Sequence, residues 1–309
     1  MRLVFMGTPD SAVPTLRRLI NDGHKMVAVW TQPDRPAGRG NKLHVPPVKE
    51  FALSRGLTVH QPSKIRTDDA LELFKSHDAD AAILVAYGRI LPSSFLKTPR
   101  RGCLNVHFSL LPKYRGAAPV NWAIVCGESV SGVTTMQIDE GLDTGAILLQ
   151  AQTEIGEKET APELMSRLSE VGAGLMSETL KLLDEIVPRK QDDSRASFAP
   201  VLKREDGLID WSWDAAEIER RVRGFQPWPH AFTTFHSRRL IIWRASVVSD
   251  VQRAGNGGDV IEAHGDRLIV ACGNETLLQF NEVQPEGKKR MLARDFLNGT
   301  HLRAGDRFG

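Results

Sequence analysis

Sulfur chemistry is scarce in this chain. Its three cysteines, Cys103, Cys126 and Cys272, lie far apart in 309 residues and form no C-x-x-C pair. That spacing offers neither a disulfide framework nor a cysteine-rich metal site, and it points to a reducing cytoplasm. A long apolar run is also missing. The N-terminus enters a short strand directly, with Asp10 soon after, so neither a secretory leader nor a membrane span is expected. The nine histidines make no H-E-x-x-H or other metal-ligand spacing, and no metal cofactor is expected. The first strand-to-helix turn, Gly7-Thr8-Pro9, lacks G-x-G-x-x-G. Its absence counts against a dinucleotide, whose pyrophosphate needs those glycines. Neither sign of charge is in excess: 40 Lys and Arg against 38 Asp and Glu leave a net +2. No internal repeat, low-complexity tract or heptad seam is visible. No Ser or Cys stands beside an evident base, which favours direct transfer between substrates over a covalent enzyme intermediate.

What is present describes an ordinary globular chain, 41% hydrophobic and 25% charged, long enough for two domains. Short apolar strands alternate with amphipathic helices over the first half: strands near 2–6, 25–31, 57–60, 81–85 and 103–107, helices near 11–21, 47–55 and 68–76. This pattern reads as an α/β, doubly wound, mostly parallel sheet of Rossmann-like type. Residues 81–85 are apolar throughout, as a central parallel strand must be. A strand near 132–138, an edge strand near 146–153 and a helix over 161–186, interrupted by Gly172 and Gly174, complete a first domain at 1–188. A polar, proline-bearing stretch reads as a linker over 189–205. The remainder, 206–309, opens with a short helix capped by Asp214 and then carries about five short strands, which argue a small β-barrel.

One loop stands out. Residues 32–42 are rich in Pro, Gly and basic side chains, and no regular element is expected there; Arg35, Arg39, Lys42 and Lys49 crowd this segment. Three arginines at 220, 221 and 223, a pair at 238 and 239, and Lys288, Lys289 and Arg290 are further basic runs, each by itself an ordinary solvated face.

The chemistry centres on residues 103–119. Asn105 and His107 are two apart on a strand, so both side chains face one side, at the C-terminal end where open α/β sheets bind ligands. An Asn amide can donate to the oxygen of a tetrahedral intermediate, and a His can move a proton between attacking and leaving groups. Asp143, inside Gly141-Leu142-Asp143-Thr144-Gly145, supplies a carboxylate that can orient His107. Taken singly, each has a plainer reading: a strand-terminating Asn, a satisfied core His, a turn Asp.

The continuous stretch from Asn105 to Gly116, followed by Gly141-Leu142-Asp143-Thr144-Gly145, resembles the signature of the folate-dependent formyltransferases. The likeness extends through Gly7-Thr8-Pro9-Asp10, Thr31 to Gly40, Ala86-Tyr87-Gly88, Ile209-Asp210-Trp211 and Pro227-Trp228-Pro229, and so covers nearly the whole chain. Within the family it is similar to members acting on initiator methionyl-tRNA. The resemblance implies 10-formyltetrahydrofolate as formyl donor and a monomer. It assigns catalysis to Asn105, His107 and Asp143, and donor contacts to Ser109, Leu110, Leu111, Pro112 and the backbone at Tyr87 and Gly88. It assigns tRNA contact to Arg39 and Lys42, with Arg35 beside them, and an OB-like fold to the C-terminal domain. Lys113 and Arg115 add positive charge near the site. Phe108 departs from the pattern, since a small residue is common there.

Overall fold

Residues 81–85, Ala-Ala-Ile-Leu-Val, carry no polar side chain, and all five are buried, so this strand must sit where helices cover both faces of a sheet. A computed structural model of the chain describes residues 1–37, 42–249 and 255–309. It divides into two compact units. The first holds residues 1–119, 130–154 and 165–199; the second holds 120–129, 155–164 and 200–309.

In chain order the elements up to the long helix are β1 (Arg2–Gly7), α1 (Val13–Asn21), β2 (Lys25–Trp30), β3 (Arg35–Ala37), β4 (Lys42–His44), α2 (Pro47–Ser54), β5 (Val59–His60), α3 (Asp68–Ser76), β6 (Ala81–Val85), α4 (Ser93–Leu96), β7 (Cys103–His107), β8 (Arg115–Gly116), α5 (Pro119–Val125), β9 (Val130–Gln137), β10 (Ile147–Glu154) and α6 (Ala161–Lys181), with β11 (Phe198–Ala199) after it. The main sheet has the order β10-β9-β7-β6-β1-β2-β5. Its pairs from β7 through β6, β1 and β2 to β5 are parallel, whereas β9 and β10 join antiparallel. The chain winds outward from β1 to β2 and β5, then returns to β6 on the other side of β1. That reversal leaves a crevice at the C-terminal ends of β1 and β6. Trp30 packs edge-on against Phe74 and Phe95 under this sheet within one buried cluster.

Two expectations change here. The 32–42 segment is not wholly irregular: β3 and β4 pair antiparallel, with Arg35 opposite His44 and Ala37 opposite Lys42. Residues 189–199, read as linker, lie with the first unit, because β11 pairs with β8 and Gln191 is buried against it.

Gly172 does not weaken α6 at random. A Cβ there would meet Val106 Cγ1 at 2.8 Å and Phe108 Cε1 at 3.5 Å, so the missing side chain lets the helix lie close on the sheet. Val106 and Phe108 share the face opposite Asn105 and His107. The bulk of Phe108 is therefore spent on α6 and not beside His107.

The second unit contains α7 (Ala215–Gly224), β12 (Ala231–Phe235), β13 (Arg238–Val248), β14 (Val260–His264), β15 (Arg267–Ala271), β16 (Leu277–Pro285), β17 (Met291–Leu292) and α8 (Ala293–Asn298). Asp214 caps α7 by accepting from Glu217 N at 2.7 Å. The sheet runs β12-β13-β16-β15-β14, all antiparallel, with β17 added to β16. One core takes Ala231, Leu240, Val260, Leu268 and Phe280, so both end strands face the same interior. The tail crosses the seam. Val260 N donates to the Asp306 carbonyl at 2.8 Å, and Gly309 N donates to the Thr234 carbonyl at 3.1 Å. Phe308, fully buried between them, adds about 1.5–3 kcal/mol of apolar burial. The barrel read from five short strands is this six-stranded sheet with its seam bridged by the tail.

Candidate active site

β7 places Asn105 and His107 on one face. Asn105 lies opposite Met136 of β9 and His107 opposite Thr134. His107 is 6% exposed, and its Nε2 is 2.9 Å from the Tyr114 carbonyl. A carbonyl only accepts, so Nε2 carries the proton of the neutral ring. Nδ1 is then the basic nitrogen, and it faces Asp143 Oδ2 at 3.7 Å. That distance is an ion-pair approach and too long for a direct hydrogen bond. The ring's orientation is thus set by Tyr114, and Asp143 offers a nearby negative charge to Nδ1 once it is protonated.

Asp143 is held independently of His107. Its Oδ2 accepts from Gly116 N at 2.8 Å. Its backbone sits in the left-handed region at φ 53, which Asp tolerates better than bulkier residues. Gln191 Nε2 donates to the carbonyls of both Asp143 and Gly145, each at 2.8 Å. Asp139 Oδ1 accepts from Gly141 N at 3.1 Å and from Thr144 Oγ1 at 2.6 Å. Gly145 is required by space, since a Cβ would sit 1.8 Å from the Gln137 carbonyl.

Arg115 does not project positive charge outward. It is buried, and its guanidinium holds Gln191 Oε1 at 2.8 and 3.1 Å and Asp193 Oδ1 at 2.7 Å. Gln191 therefore links Arg115 to the Asp143 turn. Nothing in the sequence marks it, because a lone Gln in a polar stretch carries no pattern.

A cavity of about 460 Å³ lies in the first unit, lined by Ile65, Arg66, Ile90, Leu91, Phe95 and Glu140 among others. Glu140 belongs to the same turn as Asp143, and Leu91 follows β6, the strand beside β7. The residues expected to touch the donor are placed differently. Leu111 is buried with Met136 and Ile147. Ser109 Oγ donates to the Lys113 carbonyl at 2.6 Å, and Leu110 packs where a Cβ on Gly132 would be, 2.5 Å from its Cδ2. Tyr87 is core: burial pushes its hydroxyl up to about 12, and its carbonyl accepts from Thr8 and Gln32. None of Tyr87, Gly88, Ser109, Leu110, Leu111 or Pro112 lines this cavity. Its walls are Ile90 and Leu91 farther along that turn, the start of α4, residues 65–68 and 71 at the start of α3, and the Glu140 carboxylate.

Of the residues expected at tRNA, Arg35 is exposed on β3. Lys42 begins β4. Arg39 lies outside the described residues. In the second unit, Arg221 stacks on Trp213 at 3.8 Å and pairs with Glu217, and Arg223 pairs with Glu219. Those two arginines are spent within the unit, while Arg238, Lys288 and Lys289 are exposed. Among the described residues, no group of His, Cys, Asp and Glu is arranged to hold a metal ion, and no helix is long and apolar enough to cross a membrane.

Comparison with known proteins agrees with this architecture. A sequence model described as formyl transferase matches residues 1–180, and one described as formyl transferase, C-terminal domain, matches residues 201–301. A methionyl-tRNA formyltransferase of Geobacter metallireducens is 47% identical over 311 residues, covering 100% of this chain and 99% of the relative. One from Acidobacterium capsulatum is 51% identical over 314 residues, covering 100% of both. Among solved structures, the sugar 3N-formyl transferase WlaRD superposes with a TM-score of 0.67 at 20% identity, over 94% of this chain and 99% of that one. The methionyl-tRNA formyltransferase from Clostridium thermocellum gives 0.56 at 19% identity, over 80% and 93%. At such identities the two structures speak for the fold alone.

Proposed function

Because this chain belongs to the formyl transferase family, we propose that it moves the formyl group of 10-formyltetrahydrofolate onto the methionine amine of initiator methionyl-tRNA. The observation that supports the reading is His107 Nδ1 facing Asp143 Oδ2 at 3.7 Å at the C-terminal end of β7, with Asn105 two residues earlier on the same face of that strand.

The neutral amine attacks the formyl carbon. A bond from nitrogen to carbon forms, and the carbonyl oxygen becomes an oxyanion to which the Asn105 amide donates. The attacking nitrogen sheds a proton, the bond from carbon to N10 of the folate breaks, and N10 takes a proton as it leaves. His107 Nδ1 carries that proton, and the charge it acquires is met by Asp143. The products are formyl-methionyl-tRNA and tetrahydrofolate.

A cavity of about 460 Å³ falls in the range of small-molecule sites. The flat pterin ring would lie between Ile90, Leu91 and Phe95, with Glu140 at its polar edge. The β3–β4 pair and the exposed bases of the second unit would meet tRNA phosphates. Incubation with 10-formyltetrahydrofolate and charged initiator tRNA, followed by detection of blocked methionine, tests the whole reading. Absence of formyl-methionine from a folded, folate-binding sample would end it.

A further inference from the structure

Side chains from two strand ends meet at the carbonyl of a third. Thr8 follows β1, Gln32 follows β2, and Tyr87 follows β6, at the place where the sheet's winding reverses. Thr8 Oγ1 donates to the Tyr87 carbonyl at 3.1 Å, and Gln32 Nε2 donates to the same oxygen at 3.0 Å. The other half of the Gln32 amide, Oε1, accepts from Arg89 Nε at 3.1 Å. A second set of bonds runs outward. The Gln32 carbonyl accepts from Gln61 Nε2 at 2.7 Å, and that nitrogen also donates to Asp34 Oδ1 at 2.7 Å. Asp34 Oδ2 accepts from Lys49 Nζ at 2.7 Å. Asp34 is the last residue before β3, and Arg89 is the last before Ile90 and Leu91 on the cavity wall.

The turn reached by Gln32 has a reason to need holding. Ala86 sits at φ 45 and Gly88 at φ 80. The left-handed backbone is unfavourable for alanine, so the turn keeps it while the Tyr87 carbonyl is pinned from two sides. A strained turn pinned by two hydrogen bonds beside a cavity wall is the kind of element through which two sites can exchange free energy.

We propose that Gln32 is a positioning residue coupling the root of the β3–β4 pair to the 86–91 turn, so that folate in the cavity and tRNA on the strand pair raise each other's affinity. The inference rests on the functional reading above and adds to it a regulation that the reading does not require.

The test measures the dissociation constant of methionyl-tRNA with and without saturating tetrahydrofolate, which donates no formyl group, and the converse pair. Linkage demands the same factor both ways, expected to be about 5 or more in the wild type. In Gln32→Ala the factor should collapse to about 1. Gln32→Glu keeps a partner for Arg89 but turns an acceptor toward the Tyr87 carbonyl, and it should collapse likewise. Asp34→Ala breaks the relay at its outer end without touching the turn and gives the same loss, which separates the relay from local damage. A merely structural role would weaken both ligands and leave the ratio intact. A factor of about 1 in the wild type, or the wild-type factor retained in Gln32→Ala, overturns the proposal. Should the wild type bind neither ligand, the functional reading falls and takes this inference with it.

Discussion

Asp143 and His107 separate two jobs that often fall to one contact. The Tyr114 carbonyl orients the ring, Gly116 N–H holds the carboxylate, and the 3.7 Å between Nδ1 and Oδ2 is too long for a direct hydrogen bond to occupy the nitrogen that carries the proton in the proposed reaction. Replacing His107 by Ala should therefore lower kcat by about 10²–10⁴ while tRNA affinity barely moves, in single-turnover and filter-binding measurements. Asp143→Asn retains an acceptor for Gly116 N–H but loses the charge. Its kcat should fall while its Tm stays near that of the wild type. Unchanged turnover in both variants would remove these residues from catalysis. The pair Asn105 and His107 is legible from two-residue spacing on a strand. Gln191 and Gln32 are not, because an amide earns its role only from the partners that folding brings within 3 Å.

Among the elements, α6 shows how one residue type acts in opposite ways. A Cβ at Gly172 would stand 2.8 Å from Val106, whereas one at Gly174 meets nothing within 4 Å. Gly172→Ala should cost about 1 kcal/mol net, since overpacking of about 1–3 kcal/mol outweighs about 1 kcal/mol of helix propensity. Gly174→Ala should stabilise by about 0.5–1 kcal/mol. Urea unfolding of both variants reads the two signs directly, and equal signs would refute the packing account. From periodicity alone both glycines look like interruptions. The difference depends on which side of the helix meets β7. The β3–β4 pair is invisible in the sequence for a related reason: three-residue strands rich in Pro and charge have no period long enough to detect.

For the molecule as a whole, pH and salt probe different surfaces. Burial lowers His77 from its ordinary value of 6.5 to about 4, and the neighbouring His60 adds to the effect. Neutral His77 accepts from Trp30 Nε1 at 3.1 Å. The folded chain thus holds this proton less tightly than the unfolded chain. Stability is insensitive to His77 above pH 6.5, falls as pH drops from 6.5 toward 4, and levels off below. Denaturant titrations from neutral pH down to about pH 4 should show this fall, and His77→Gln, which keeps an acceptor, should make it shallower, the remainder coming from the partly buried His24, His60 and His230, which burial also lowers. Salt reports on the substrate. If several tRNA phosphates are neutralised, log affinity should fall with log salt at about −0.9 per duplex phosphate, and a flat response would favour a small amine acceptor.

The order of apolar strands and amphipathic helices, the face shared by Asn105 and His107, the glycine-framed Asp143 turn and the family signature were all determined by the sequence itself, because each is a local pattern of spacing or a contiguous motif. Tertiary structure alone decided which nitrogen of His107 is basic, that Arg115 and Gln191 face inward to brace the Asp143 turn, that Leu111 fills core while Ile90 and Leu91 wall the cavity, and that residues 306–309 bridge the seam of the second sheet. Those outcomes depend on partners from 7 to 76 residues apart, and a hydrogen bond of about 3 Å is set by how the sheet and its turns close, which no local pattern encodes.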